Sequence, residues 1–245
     1  MKILAIGNSF SSDATRYLYE IAGSDGFALK VVNLYIGGCS LDMHYKNMNN
    51  DAAAYLMEFN GHPTGFYVSI KEALQSDMWD YVTLQQASHF STNYETYTPY
   101  LKSLTEYVRF HAPKAKQVFH QTWAYENGSE KLKTQMGYDS HSAMFDDIKA
   151  ASKKAAGEVG ISTVIPAGMM IAGLVHAGIG PIYRDSFHLS LGVGRYAVAA
   201  LWYKMLAGKS IFGNKFRKFD ENISDDVLEE VHHFVEGFIH GYVFK

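Results

Sequence analysis

Residues 2–22 read KILAIGNSFSSDATRYLYEIA. Residues 2–6 form an apolar run of the length of a buried strand, and residues 7–12 carry the small residues of a tight turn. Residues 13–22 then set Tyr17, Leu18 and Ile21 on one side of a helix. The same alternation recurs downstream. Strand-like runs at residues 28–34, 81–84, 117–122 and 162–165 are separated by helical patterns at 70–75, 100–110 and 142–158, with further helices at 166–175, 192–206 and 225–238. Parallel strands need crossover connections, usually helices, so the pattern predicts an α/β fold with three α/β/α layers around a five-stranded parallel sheet. Residues 51–68 break the pattern with two short β-like runs around Asn60-Gly61-His62-Pro63, which predicts a small inserted β-hairpin. We read the whole of residues 1–245 as one domain.

In such a sheet a ligand sits beyond the carboxyl ends of the strands, so the loops starting at Gly7, Gly37, Gln85 and Gln121 are expected to converge. Gly7-Asn8-Ser9-Phe10-Ser11 occupies the first of them and presents a serine where backbone N–H groups point outward. Ser9 is either a nucleophile or a turn residue beside helix caps drawn from Ser11, Ser12 and Asp13. Neither GxGxxG nor GxxxxGK[ST] occurs, so a phosphate loop is excluded. Near the other end, residues 184–190 read RDSFHLS, with Asp185 and His188 three apart. A serine hydroxyl needs a base to remove its proton, and a histidine base needs a carboxylate to fix its tautomer. Asp185 and His188 supply both, where alone they would make an ordinary loop ion pair.

These blocks resemble the SGNH, or GDSL-type, hydrolase superfamily, from Ser9 after the first strand to the Asp-x-x-His block near the C-terminus. The resemblance implies a flavodoxin-like strand order and a triad of Ser9, Asp185 and His188. It also implies an oxyanion hole containing the N–H groups of Ser9 and of Gly38, from Gly37-Gly38-Cys39-Ser40. Two blocks depart from the usual pattern. Gly7-Asn8-Ser9-Phe10 replaces the GDSL tetrapeptide, resembling a branch with a GNSF start, and Gln85-Gln86 stands where Gly-x-Asn-Asp is usual. A glutamine amide can donate the hydrogen bond that asparagine would, so Gln85, and after it Gln86, is the expected third donor. The mechanism implied is acyl transfer through a serine ester, needing no metal and no cofactor. Because the base must be neutral, the rate is expected to fall below roughly pH 6–7, where a free imidazole takes up its proton.

Composition bounds the partners. A formal net charge of -3 offers no basic field for nucleic acid or an anionic membrane surface, and no apolar stretch approaches a membrane span. The single cysteine, Cys39, excludes an internal disulfide and a zinc site built on several thiolates. With residues 3–6 too short for a signal-peptide core, the expected compartment is the cytoplasm, or the exterior if a leader has been removed. Cys39 as a thiol nucleophile and a metal stripe of His232, Glu236 and His240 at helical spacing are weaker readings. Tyr45, Tyr55, Phe59, His62, Phe66, Tyr67, Trp123, Tyr125 and Tyr138 wall a pocket, pack a core or form a contact between copies. The expected activity is hydrolysis of a small-molecule or glycan ester, with an acetyl ester on a carbohydrate as the expected substrate. The alternatives are transfer of the acyl group to an alcohol, and glycan binding on the same fold without turnover.

Overall fold

The computed structural model describes residues 1–238. Its first strand, β1 (Lys2–Gly7), has Ile3 and Ala5 on one face and Leu4 and Ile6 on the other, and all four are buried. A strand apolar on both faces belongs inside a parallel sheet with helices above and below. β1 pairs in parallel with β2 (Lys30–Tyr35) on one side and with β5 (Tyr81–Leu84) on the other. Beyond β5 lie β6 (Lys116–His120) and β7 (Thr163–Ile165), again parallel. The hairpin of β3 (Tyr55–Phe59) and β4 (His62–Val68) turns at Asn60 and Gly61, as its sequence predicts, with φ of 50° and 84°.

The expectation of a five-stranded parallel sheet is corrected here. β3 pairs antiparallel with β2, so the hairpin extends the same sheet instead of standing apart from it. The result is one seven-stranded mixed sheet in the order β4-β3-β2-β1-β5-β6-β7. The physical reason is the exposed edge that β2 would otherwise present; β3 satisfies its N–H and C=O groups, and the outermost strand, β4, carries Pro63, which cannot template further pairing. Within the parallel part the order β2-β1-β5-β6-β7 reverses direction around β1, which makes the end of β1 a topological switch point.

Two apolar clusters flank the sheet. On one face α1 (Ser9–Thr15), α2 (Leu18–Ser24), α7 (Ala167–Ala177), α8 (Val193–Ala207) and α9 (Asp225–Glu236) cover Ile3, Ala5, Val31, Val118 and Ile165. On the other α3 (Leu41–Asn49), α4 (Ile70–Gln75) and α5 (Tyr100–His111) cover Leu4, Ile6, Val32, Leu34, Val82 and Leu84. α6 (His141–Glu158) contributes to both. The single helix expected over residues 13–22 is two, starting earlier at Ser9 and broken at Tyr17. That side chain is buried, donates its hydroxyl to the Leu191 carbonyl and accepts from Asp220 N–H at 2.8 Å. No helix among the described residues is long and apolar enough to cross a membrane.

Candidate active site

Ser9 is the first residue of α1, and its position is set by its two neighbours. Asn8 caps the helix from an extended backbone, its Oδ1 accepting from Phe10 N–H at 3.0 Å. Ser11 reaches back, its Oγ accepting from Asn8 N–H at 3.0 Å, which completes a capping box. Gly7 makes that close turn possible: a Cβ there would stand 2.3 Å from Ser11 Oγ. The backbone N–H of Ser9 belongs to the first helical turn, which has no intrahelical acceptor for it. The Asn8 side chain also holds two other strand ends, accepting from Gln85 Nε2 at 2.7 Å and donating to the Cys39 carbonyl at 3.0 Å.

The loop after Arg184 brings the second block to Ser9. Its turn is made at Ser186, which adopts the left-handed region with φ of 71°, a conformation that costs a non-glycine residue of order 1 kcal/mol. That reversal lets Asp185 Oδ1 accept the His188 backbone N–H at 2.8 Å while Oδ2 lies 2.7 Å from His188 Nδ1. His188 Nε2 then lies 2.9 Å from Ser9 Oγ. Burial raises the Asp185 carboxyl pKa, but the hydrogen bonds from the His188 ring and backbone outweigh it and hold it below the ordinary carboxylate range. Glu126 N–H donates to the Ser186 carbonyl at 2.7 Å and Trp123 Nε1–H to the Phe187 carbonyl at 2.8 Å, fixing the loop against the end of β6.

Under both blocks lies Asp13, 1% exposed. Its carboxylate accepts from Arg184 Nη1 at 2.9 Å, from Arg195 Nε at 2.8 Å and from Leu189 N–H at 3.0 Å. From the sequence Asp13 is one of three candidates for a helix cap; the structure makes it a clamp between α1 and the residues on either side of the Asp185–His188 pair.

Gly38, with φ of 63°, turns the loop after β2 so that it lines the same cleft as Ser9 and His188. The two glutamines do not. Gln85 is buried behind the site with its amide committed to Asn8, and Gln86 Nε2 donates to Thr96 while its Oε1 accepts from Leu41 and Ala87 N–H. Gln85 therefore stands as a support for the helix cap, and the expected glutamine donor is placed outside the cleft. The physical reason is the hydrogen bonding: Asn8 Oδ1 takes the Gln85 amide, and Thr96, Leu41 and Ala87 take up the Gln86 amide.

The cleft, about 350 Å³, is lined further by Tyr35, Ser88, His89, Tyr125, Lys131, Gln135 and Phe187. Of the aromatic residues singled out in the sequence, Tyr125 reaches it. Trp123 is buried beneath, stacked on Phe10 at 4.0 Å, while Tyr55 is core and Phe66 and Tyr67 lie exposed on β4. Cys39 is fully buried, 3.5 Å from His44 Nδ1, and burial pushes its thiol up to about 12, so it supplies no thiolate. In the helical stripe, His232 Nε2 lies 2.7 Å from the Tyr196 hydroxyl and Glu236 pairs with Lys204 at 2.6 Å, while His240 lies outside the described residues.

The chain is similar to proteins that share this arrangement of elements. A family profile described as "Domain of unknown function (DUF4886)" matches residues 2–228. A DUF4886 family protein from Bacteroides uniformis is 34% identical, covers 97% of this chain and 93% of its own, and superposes with a TM-score of 0.90. A candidate SGNH hydrolase from Slackia heliotrinireducens is 25% identical over 81% of this chain and 95% of its own, with a TM-score of 0.59. A candidate GDSL-like lipase from Parabacteroides merdae, 16% identical over 85% and 96% of the two chains, shares the fold at a TM-score of 0.57. No curated protein matches by sequence. The chain belongs to the DUF4886 family, and it carries the fold of the SGNH hydrolases.

Proposed function

We propose that the chain is a serine esterase for small acyl esters, with Ser9 as nucleophile, His188 as general base and Asp185 as its orienting carboxylate. The observation that carries this reading is the series of contacts from Asp185 through His188 to Ser9 Oγ, 2.7 and 2.9 Å long, at the wall of an open cleft. His188 Nε2 takes the Ser9 proton as Oγ attacks the ester carbonyl; the tetrahedral oxyanion is held by the N–H groups of Ser9 and Gly38. The protonated imidazole then gives its proton to the leaving alcohol, and water repeats the sequence to release the acid and free serine. A shape of about 350 Å³ with several hydroxyl groups in its wall suits a small acyl group on a polar alcohol, and an acetyl ester of a carbohydrate is the substrate we favour.

The test is intact-mass labelling with a fluorophosphonate together with hydrolysis of 4-nitrophenyl acetate. Wild type is expected to take one label and turn over; Ser9→Ala is expected to lose the label and at least about 10³-fold in kcat without a change in Tm. Folded wild-type protein that neither labels nor turns over would leave a binding protein on this fold.

A further inference from the structure

Five lysines of the described chain are half-buried: Lys2, Lys30, Lys71, Lys131 and Lys204. Four of them face a carboxylate, Lys2 and Lys30 sharing Asp77, Lys71 meeting Asp51 and Lys204 meeting Glu236. Lys131 is the exception among the described residues, and it is the one that lines the Ser9 cleft. Its ammonium lies 3.5 Å from the centre of the Phe187 ring, which also packs against the His188 ring at 3.9 Å and the Tyr125 ring at 5.3 Å. A cation resting on an aromatic face gains of order 1 kcal/mol and uses none of its N–H donors in a hydrogen bond to a carboxylate.

Placement sharpens the point. Lys131 opens the single π-helical turn Lys131–Gln135, closed by Met136 N–H donating to the Lys131 carbonyl at 3.1 Å, and both ends of that turn face the cleft. No Asp or Glu lines this cleft among the described residues. Asp185 is engaged by His188, and Glu130, the residue before Lys131, by the Thr134 hydroxyl. The charge is also awkward for the chemistry: His188 becomes positive as it takes the serine proton, and a neighbouring ammonium opposes that step unless a negative charge arrives with the substrate.

We infer that the substrate is an ester carrying a carboxylate, which Lys131, with Gln135 beside it, receives at the wall of the cleft. The inference rests on the esterase reading above. The carboxylate sits either on the acyl side, as in a half-ester of a dicarboxylic acid, or on the alcohol side, as in an acylated hydroxy acid. Two probe pairs separate these sources: mono-4-nitrophenyl glutarate against 4-nitrophenyl butyrate, and 4-acetoxybenzoate against its methyl ester. In wild type one charged probe is expected to exceed its neutral partner about fivefold in kcat/KM, chiefly through KM. Lys131→Gln or about 0.5 M salt should bring that ratio to unity, while Lys131→Arg keeps it. If Ser9 still labels with the fluorophosphonate and neither charged probe is preferred, or the preference survives in Lys131→Gln, the inference fails alone. If Ser9 never labels, the esterase reading fails and takes the inference with it.

Discussion

The two walls of the cleft are built differently. The wall made by Asn8 to Asp13 and residues 184–189 is laced with mutual hydrogen bonds, over a carboxylate 1% exposed that answers two guanidinium groups. The wall made by Tyr35, Ser88, His89 and the turn Lys131–Gln135 comes from a strand end, a loop and a helical turn far apart in the chain, and the Ser88–Tyr125 hydroxyl contact at 2.9 Å is its clearest internal bond. Reacting groups must be held within fractions of an ångström, whereas groups that recognise a variable alcohol or acid can move. The first wall is therefore the place where a substitution should cost stability and rate together, and the second the place where it should change preference.

Removing Asp13 breaks the first wall most severely. Asp13→Ala leaves Arg184 and Arg195 without their shared partner and is expected to lower unfolding free energy by about 3–5 kcal/mol in a urea titration, with activity falling in parallel. A loss below about 1 kcal/mol would show that the two blocks are held by the sheet alone. Acid is the next lever. His44 and His120 are fully buried and burial lowers each pKa to about 3; His141, nearly as buried, is lowered to about 4. Their folded values lie below the unfolded imidazole value, so the chain unfolded binds more protons, and stability present above about pH 6.5 is lost as pH falls toward the folded values. Three such groups give a loss of about 3 kcal/mol between pH 6.5 and 5.5, read as a falling Tm; replacing His120 by Phe should remove about a third of that slope. A Tm independent of pH across this window would contradict their burial as neutral rings. The smallest effect is expected on the second wall: Gln135→Ala should change neutral-ester kcat/KM by no more than about twofold and stability by less than about 0.5 kcal/mol. A tenfold loss on a neutral ester would make this turn part of the chemistry and erase the contrast.

The same contrast governs what can be read from sequence. Ser9 was visible because it lies three positions past an apolar strand, and Asp185 and His188 because they stand three positions apart; short spacings survive in a linear text. The support beneath them was not, because Asp13 finds Arg184 and Arg195 171 and 182 residues away. Gln85 was misplaced for a related reason: its position after a strand gives the loop, but the direction of its amide depends on Asn8, 77 residues earlier. The second wall left no pattern, since its members come from separate elements with no common spacing. α3 escaped because its buried side is Leu41, His44 and Met48, and a histidine at the centre of the stripe reads as polar until it is seen fully buried against Tyr55. The hairpin was legible from Asn60-Gly61, yet nothing local says which strand it will join.

The serine hydroxyl and the imidazole that faces it stand 179 positions apart in the chain. During synthesis Ser9 is made 179 residues before His188, so all seven strands of the sheet are complete before the two can meet. Throughout that interval Ser9 has neither the imidazole that faces it nor the arginines that draw the two segments together. A chain cut short before Arg184 lacks the imidazole that faces Ser9, so on the proposed esterase reading only a chain made past His188 can carry the reaction.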